Sequence, residues 1–139
     1  MDYQKIIIMS GYSGTPLLKK LGIKEDMKVH LVNAPDDYMD ILETNVSRQL
    51  TANTKDADLV HIFAISKKEL SAAFTQTIRQ AKKGLIIWIS WYKKSAGIQT
   101  DVTEDVIREI VLPLGWVDIK VCAVSDQWSG LKIVKRKTV

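Results

Sequence analysis

With a single cysteine, Cys122, the chain forms no internal disulfide, which excludes a disulfide-stapled secreted scaffold and agrees with a reducing compartment. No apolar run approaches the roughly 18 residues that span a bilayer, so no membrane contact is expected. The N-terminus, Met1-Asp-Tyr-Gln-Lys-Ile-Ile-Ile-Met9, offers only four apolar residues behind an acid and a lysine, too few for a secretory signal. These absences point to a cytoplasmic protein. The two histidines, His30 and His61, lack the third ligand that a zinc site needs. No nucleophile, base and orienter set is legible, and no internal repeat or low-complexity segment is present.

What the chain does have is an ordinary globular composition, with 46% hydrophobic and 26% charged residues, which argues against disorder. A globule of its 139 residues buries about two-thirds of the surface its unfolded chain exposes, enough for one domain over 1–139 without staples. The net charge of +4 comes from 20 basic and 16 acidic residues that are mostly interspersed. The one basic cluster, Lys135-Arg136-Lys137, reads as a solvated tail. Nucleic-acid binding through it and an exposed Trp or Tyr is the weakest of three functional readings.

Helix and strand signals alternate along the chain. Residues 5–9 (Lys-Ile-Ile-Ile-Met) are a candidate N-terminal strand or arm. Thr15 as N-cap, Pro16 at the first helical position, Lys19 and Lys20 in the last turn and Gly22 just beyond specify a short helix. Lys28 to Asn33 reads as a strand, and Pro35-Asp36-Asp37 opens a helix to about Glu43 with Tyr38, Ile41 and Leu42 on its apolar face. Residues 44–57 are polar, with room for one short edge strand.

Two near-continuous apolar runs follow, Asp58–Ile65 and Leu85–Ile89, the pattern of parallel strands covered on both faces. The helix between them starts at Ser66, whose capping box closes at Glu69, and carries Leu70, Ala73, Phe74, Thr77, Ile78 and Ala81 on one face. A polar loop over 91–100 leads to a second capping box, Asp101 and Glu104, and an amphipathic helix that Pro113 ends. In the last 25 residues, Val117, Ile119, Val121 and Ala123 alternate with Asp118, Lys120 and Cys122, predicting a strand with those four residues inward and the other three on a wetter face. A turn at 125–130 makes it one arm of an antiparallel hairpin with Leu131–Lys135. The fold class predicted is therefore α/β: a three-layer, Rossmann-like, mostly parallel sheet with a C-terminal antiparallel hairpin on one edge.

The ending, a helix followed by two antiparallel strands, resembles the C-terminal half of class I methyltransferases. The segments Gly11-Tyr-Ser-Gly-Thr-Pro-Leu-Leu-Lys-Lys-Leu-Gly-Ile23, Val32-Asn-Ala-Pro35, Lys93-Lys-Ser-Ala-Gly97, Thr100-Asp-Val-Thr-Glu-Asp105, Val121-Cys-Ala-Val124 and Trp128-Ser-Gly-Leu-Lys132 together resemble a family of small uncharacterised bacterial proteins catalogued only as a domain of unknown function. That resemblance implies a free-standing bacterial domain and supplies no catalytic residue.

A nucleotide or S-adenosylmethionine site wants a glycine-rich turn after the first strand. Here that turn reads Asn33-Ala-Pro-Asp-Asp37, where Pro35 removes an amide and two aspartates repel phosphate, so the residues argue against it. Anion candidates are Ser13, Gly14 and Thr15 before the first helix, and Lys93, Lys94, Ser95 and Thr100 in the 91–100 loop, with Asn33 expected at the same end of the sheet. In competition, Asp101, Glu104, Asp105 and Asp126 can neutralise the two lysines. Trp91 and Tyr92 are candidates for stacking on a ligand, Trp88 for the core, and Cys122 for an inert thiol. The leading functional expectation is a non-catalytic α/β domain that binds a small anionic ligand or a protein partner at the carboxyl edge of the sheet. A divergent S-adenosylmethionine-dependent methyltransferase is the alternative.

Overall fold

A computed structural model describes residues 15–137. The candidate strand at 5–9 and the candidate ligands Ser13 and Gly14 lie outside the described residues. Five strands, β1 (Val29–Val32), β2 (Leu59–Phe63), β3 (Ile86–Tyr92), β4 (Trp116–Ala123) and β5 (Trp128–Lys135), form one sheet in the order β1-β2-β3-β5-β4. β1, β2 and β3 run parallel. β5 is antiparallel to both β3 and β4. The hairpin thus joins the sheet through its second arm, and the antiparallel strand is an inner one while β4 takes the edge.

Helices α1 (Leu17–Leu21) and α2 (Tyr38–Leu42) cover one face, and α3 (Lys67–Arg79) and α4 (Glu104–Val111) the other. Strand side chains sort by their period of two. Val60, Ile62, Ile87, Ile89, Leu131 and Ile133 pack with Leu70, Phe74, Ile107 and Val111. Leu59, Phe63, Trp88 and Trp128 pack with Leu21, Tyr38 and Leu42 on the opposite side. Every residue of β2 is buried, as its uninterrupted apolar run predicts.

The chain does not pass directly from β1 to β2. After α2 it descends to the outer edge of β1, where Leu50 bridges Val29 in parallel while Val29 also pairs with Leu59 of β2. β1 is therefore flanked at its amino end by two later segments, Leu50 on its outer side and β2 on its inner side. At its carboxyl end its outer edge has no strand beside it among the described residues. Asn33 then turns the chain with φ 56°, a left-handed conformation that asparagine tolerates better than most residues.

Four expectations need correction. α1 begins at Leu17 with Pro16 as its N-cap residue, one position later than expected, while Gly22 closes it at φ 79° as expected. β3 continues through Tyr92, where a loop was expected from Trp91. The extra length comes from β5: the parallel partner ends at Phe63 opposite Ser90, but Trp91 and Tyr92 go on pairing with Ser129 and Trp128. α4 is capped by Thr103, whose hydroxyl accepts from the Val106 amide, and Asp101 caps α3 instead, accepting from the Lys67 amide at 2.7 Å. In β4 the predicted alternation holds for the exposed Lys120 but fails at Ile119, Val121, Cys122 and Ala123. A bulge between Asp118 and Lys120 shifts the register, so Cys122 packs toward the α1/α2 face while Ile119 and Val121 are more than half exposed.

Candidate functional site

The carboxyl ends of β1, β2 and β3 and the start of β5 meet in a two-compartment cleft. Its inner compartment, about 260 Å³, is lined by Asn33 and Pro35 from the turn after β1, Phe63 and Ile65 from the end of β2, Glu69, Tyr92 and Trp128. The outer compartment, about 450 Å³, shares Pro35, Tyr92 and Trp128 and adds Asp37, Ile41, Ser125, Asp126 and Gln127. Tyr92 and Trp128 stack with ring centroids 3.9 Å apart and 24° between planes, and Phe63 meets Trp128 edge-on at 4.9 Å. The Ser125 hydroxyl accepts from the amides of Gln127 and Trp128, which fixes the turn that presents Trp128. A larger, more open depression of about 780 Å³ lies along the outer side of α3, from Lys67 to Arg79, away from the strand ends.

The loops above the cleft are tied together. Thr100 donates its hydroxyl to the Ile65 carbonyl and accepts from the Val102 amide, and the Lys93 amide donates to the Gln127 carbonyl at 2.8 Å. The loop after β3 is thereby fastened to the turn after β2 and to the β4–β5 turn.

Beneath the inner compartment, three buried side chains form a line. Tyr38 Oη lies 3.0 Å from His61 Nδ1, and His61 Nε2 lies 2.7 Å from Ser90 Oγ. His61 stacks on Phe63 at 4.3 Å, so this line supports the floor of the cleft. Burial drives the His61 pKa down to about 3 and pushes the Tyr38 hydroxyl above its ordinary value, so both are neutral near pH 7. A neutral imidazole donates from one nitrogen and accepts at the other, which satisfies both neighbours. The order Ser90, His61, Tyr38 has the outline of nucleophile, base and orienter, yet Ser90 and His61 have no exposed surface. Gly130 closes over them: a β-carbon there would stand 2.8 Å from Val124, 3.2 Å from Trp88 and 3.4 Å from Ser90 Oγ. The line is structural.

Of the sequence candidates, Asn33 lines the cleft. Lys93, Lys94, Ser95 and Thr100 follow the parallel strand β3 and so stand at the same end of the sheet as Asn33, but none of them lines either compartment. Lys94 and Ser95 form a 3-10 turn, and Thr100 is engaged with backbone. The ion pairs expected for the two lysines do not form among the described residues: Glu104 and Asp105 bind Arg108, and Asp101 caps α3. Trp91 is half-buried against the α3/α4 face, on the opposite side of the sheet from Tyr92. Thr15 sits just ahead of a five-residue helix, too short to build much of a dipole.

Trp88 is fully buried and donates its indole N–H to the Leu21 carbonyl at 2.9 Å. His30, half-buried, bonds the Thr51 carbonyl at 2.8 Å, and its register opposite Val60 places it on the other face from His61. Burial pushes the Cys122 thiol up, away from a reactive thiolate. The basic run at 135–137 follows β5 at the amino end of the parallel strands, the far end of the sheet from Tyr92 and Trp128.

Tyr92, a stacking candidate in the sequence, does line the cleft, whereas Phe63, Ile65, Glu69, Trp128, Asp37 and Asp126 carry no local signal that marks them as cleft residues. They come from separate segments, and only the pairing of Tyr92 with Trp128 across β3 and β5 brings the aromatic wall together.

No protein-family model matches the chain, and no curated protein matches it. Its fold does match solved structures. A protein of the NADB-Rossmann superfamily from Streptococcus agalactiae superimposes with a TM-score of 0.60 at 8% identity, over 90% of this chain and 70% of that one. A SAM-dependent methyltransferase from Aquifex aeolicus gives 0.55 at 16% identity over 84% and 86%. The B. subtilis M1A22 tRNA methyltransferase TrmK gives 0.57 at 7% identity over 88% of this chain and 66% of its own. The fold is thus the Rossmann-like α/β fold of methyltransferases, as the element order predicts.

Proposed function

We propose that the chain is a divergent methyltransferase-type domain that binds S-adenosylmethionine in the cleft at the carboxyl ends of β1 to β3. The observation that carries this reading is the position of the cleft. In open α/β sheets ligands bind outside the carboxyl ends of the strands, where connections leave a strand toward opposite sides, and Asn33, Pro35, Phe63 and Ile65 line such a place. The donor set fits the group. The charged residue lining the inner compartment is Glu69, an acid, which suits S-adenosylmethionine, whose sulfonium and ammonium outweigh its one carboxylate, better than a phosphate. The left-handed turn at Asn33 gives the backbone a sense that glycine would otherwise supply. When bound, S-adenosylmethionine supplies an activated methyl group. The chain's own part is to hold and orient, with the Tyr92–Trp128 wall excluding water, since positioning is a large part of what such a transfer asks of a protein.

The same electrostatics turn the expected small anionic ligand into a less favoured one. A second reading keeps the cleft as a binding site without transfer. It is favoured by the absence, among the cleft-lining residues, of a cysteine, histidine or lysine to act as nucleophile or base. Membership of the uncharacterised bacterial family and a cytoplasmic location are carried as part of this proposal, on the sequence segments quoted above.

Isothermal titration with S-adenosylmethionine and S-adenosylhomocysteine tests the reading. Saturable heat with the former, reduced on Tyr92→Ala, is expected. A flat titration at millimolar ligand with folded protein removes it.

A further inference from the structure

The outer compartment has a character of its own. Its rim carries Asp37 and Asp126, both exposed, and its wall is the stacked Tyr92–Trp128 pair with Pro35 and Ile41. Among the described residues neither carboxylate has a hydrogen-bond or ion-pair partner. Asp37 occupies the N-cap position of α2 yet its side chain caps nothing. Asp58, Glu109 and Asp118 are engaged with Lys82, Lys67 and Arg108; what sets Asp37 and Asp126 apart from the other unpaired surface acids is their place on the rim of a concave, aromatic-walled space. No lysine or arginine lines the compartment. Its volume of about 450 Å³ is within the range of small-molecule sites. Two unneutralised carboxylates beside aromatic faces, in a concave space, produce a negative potential where a cation also gains from the ring quadrupoles.

We propose that the outer compartment is a site for a small organic ammonium, an amine carried on an aromatic or short apolar body, held between Asp37 and Asp126 against Tyr92. The apolar body lies on Ile41 and Pro35, and the ammonium faces the rim. Its role as the acceptor side of the cleft rests on the S-adenosylmethionine reading; the binding itself does not.

Calorimetric titration with benzylamine, benzyl alcohol and benzoate separates charge from shape, because the three probes share a ring and differ in sign. Benzylamine is expected to bind at least fivefold more tightly than benzyl alcohol, and benzoate not to bind. Asp37→Asn and Asp126→Asn should each weaken benzylamine about three- to fivefold, the range of a partly exposed ion pair, and leave benzyl alcohol unchanged. Both positions are exposed, and thermal melts of the variants check that the fold is intact. Equal affinity for benzylamine and benzyl alcohol, no benzylamine heat at millimolar concentration, or an unchanged benzylamine affinity in the double variant overturns the proposal. S-adenosylmethionine titrated alone into the parent protein keeps the two ideas apart. Its failure beside a normal benzylamine response removes the methyltransferase reading only, and the reverse pattern removes the amine site only.

Discussion

The two faces of the sheet are built from different material. Under α3 and α4 the strands present valine, isoleucine and leucine to Leu70, Ile107, Ile110 and Val111, with Phe74 and Trp116 as the aromatic members. Under α1 and α2 they present Phe63, Trp88 and Trp128, together with the hydrogen-bonded His61 and Ser90. The first face needs chiefly volume and shape, its buried Thr77 hydroxyl donating within α3 to the Ala73 carbonyl. The second needs each polar atom to find its partner, and it does: no buried side-chain nitrogen or oxygen among the described residues is left unsatisfied. The cleft opens at the end of this second face, where the half-buried Tyr92 stands over the buried rings of Trp128 and Phe63. A face held by specific bonds keeps ligand-facing rings in one orientation, which an aliphatic layer alone specifies less sharply.

The largest effect expected from breaking this contrast lies on the aliphatic face. Phe74 is fully buried and meets Trp116 edge-on at 6.0 Å. Phe74→Ala should cost about 3–5 kcal/mol in chemical denaturation, from lost burial and the cavity left behind. It should leave ligand affinity in the surviving folded fraction unchanged.

The aromatic face is exposed to acid instead. His61 has a folded pKa of about 3 against an ordinary 6.5. Between those values the unfolded chain binds a proton that the folded chain does not, so stability falls as pH drops from 6.5 toward 3 and is insensitive to this group above 6.5 and below 3. From pH 7 to pH 4 the loss should be roughly 3 kcal/mol, at about 1.4 kcal/mol per unit. Denaturation midpoints at several pH values read it, and His61→Gln should flatten that slope. An equal slope in the variant would assign the acid sensitivity to the carboxylates.

A smaller effect is expected at Gly130, where an added methyl group would press on Val124 and Trp88. Gly130→Ala should destabilise by about 1–3 kcal/mol as overpacking, and since Trp88 lies beside Ser90, it should also perturb near-ultraviolet circular dichroism. A neutral result would mean that the aromatic face yields as easily as the aliphatic one.

The difference between the faces also explains what could be read in advance. β2 and α3 were legible because an unbroken apolar run and a capped 3.6-residue stripe are local signals, and Ser66 caps as expected, its hydroxyl accepting from the Glu69 amide. The Rossmann-like class followed from the order of such elements. Bounds failed where a partner distant in sequence decided them: β5 lengthens β3 through Tyr92, and a bulge breaks the alternation of β4. Sequence proximity assigns Asp101 to the helix it precedes, but its carboxylate caps one that begins 34 residues earlier. For the site, Asn33 and the general location at the carboxyl edge were legible from β/α alternation. The aromatic wall was not, since Tyr92 and Trp128 are 36 positions apart and meet only through the antiparallel ladder. The lysines of the 91–100 loop drew the expectation toward anions, whereas the cleft beside them is lined by acids.

The central claim, that the carboxyl-edge cleft binds S-adenosylmethionine, is tested most directly by following backbone amide resonances during titration with that compound. Saturable shifts confined to Asn33, Ile65, Glu69, Tyr92, Gln127 and Trp128 are expected if the cleft is the site. An unchanged spectrum at millimolar ligand, or shifts centred on 135–137 at the other end of the sheet, would contradict it.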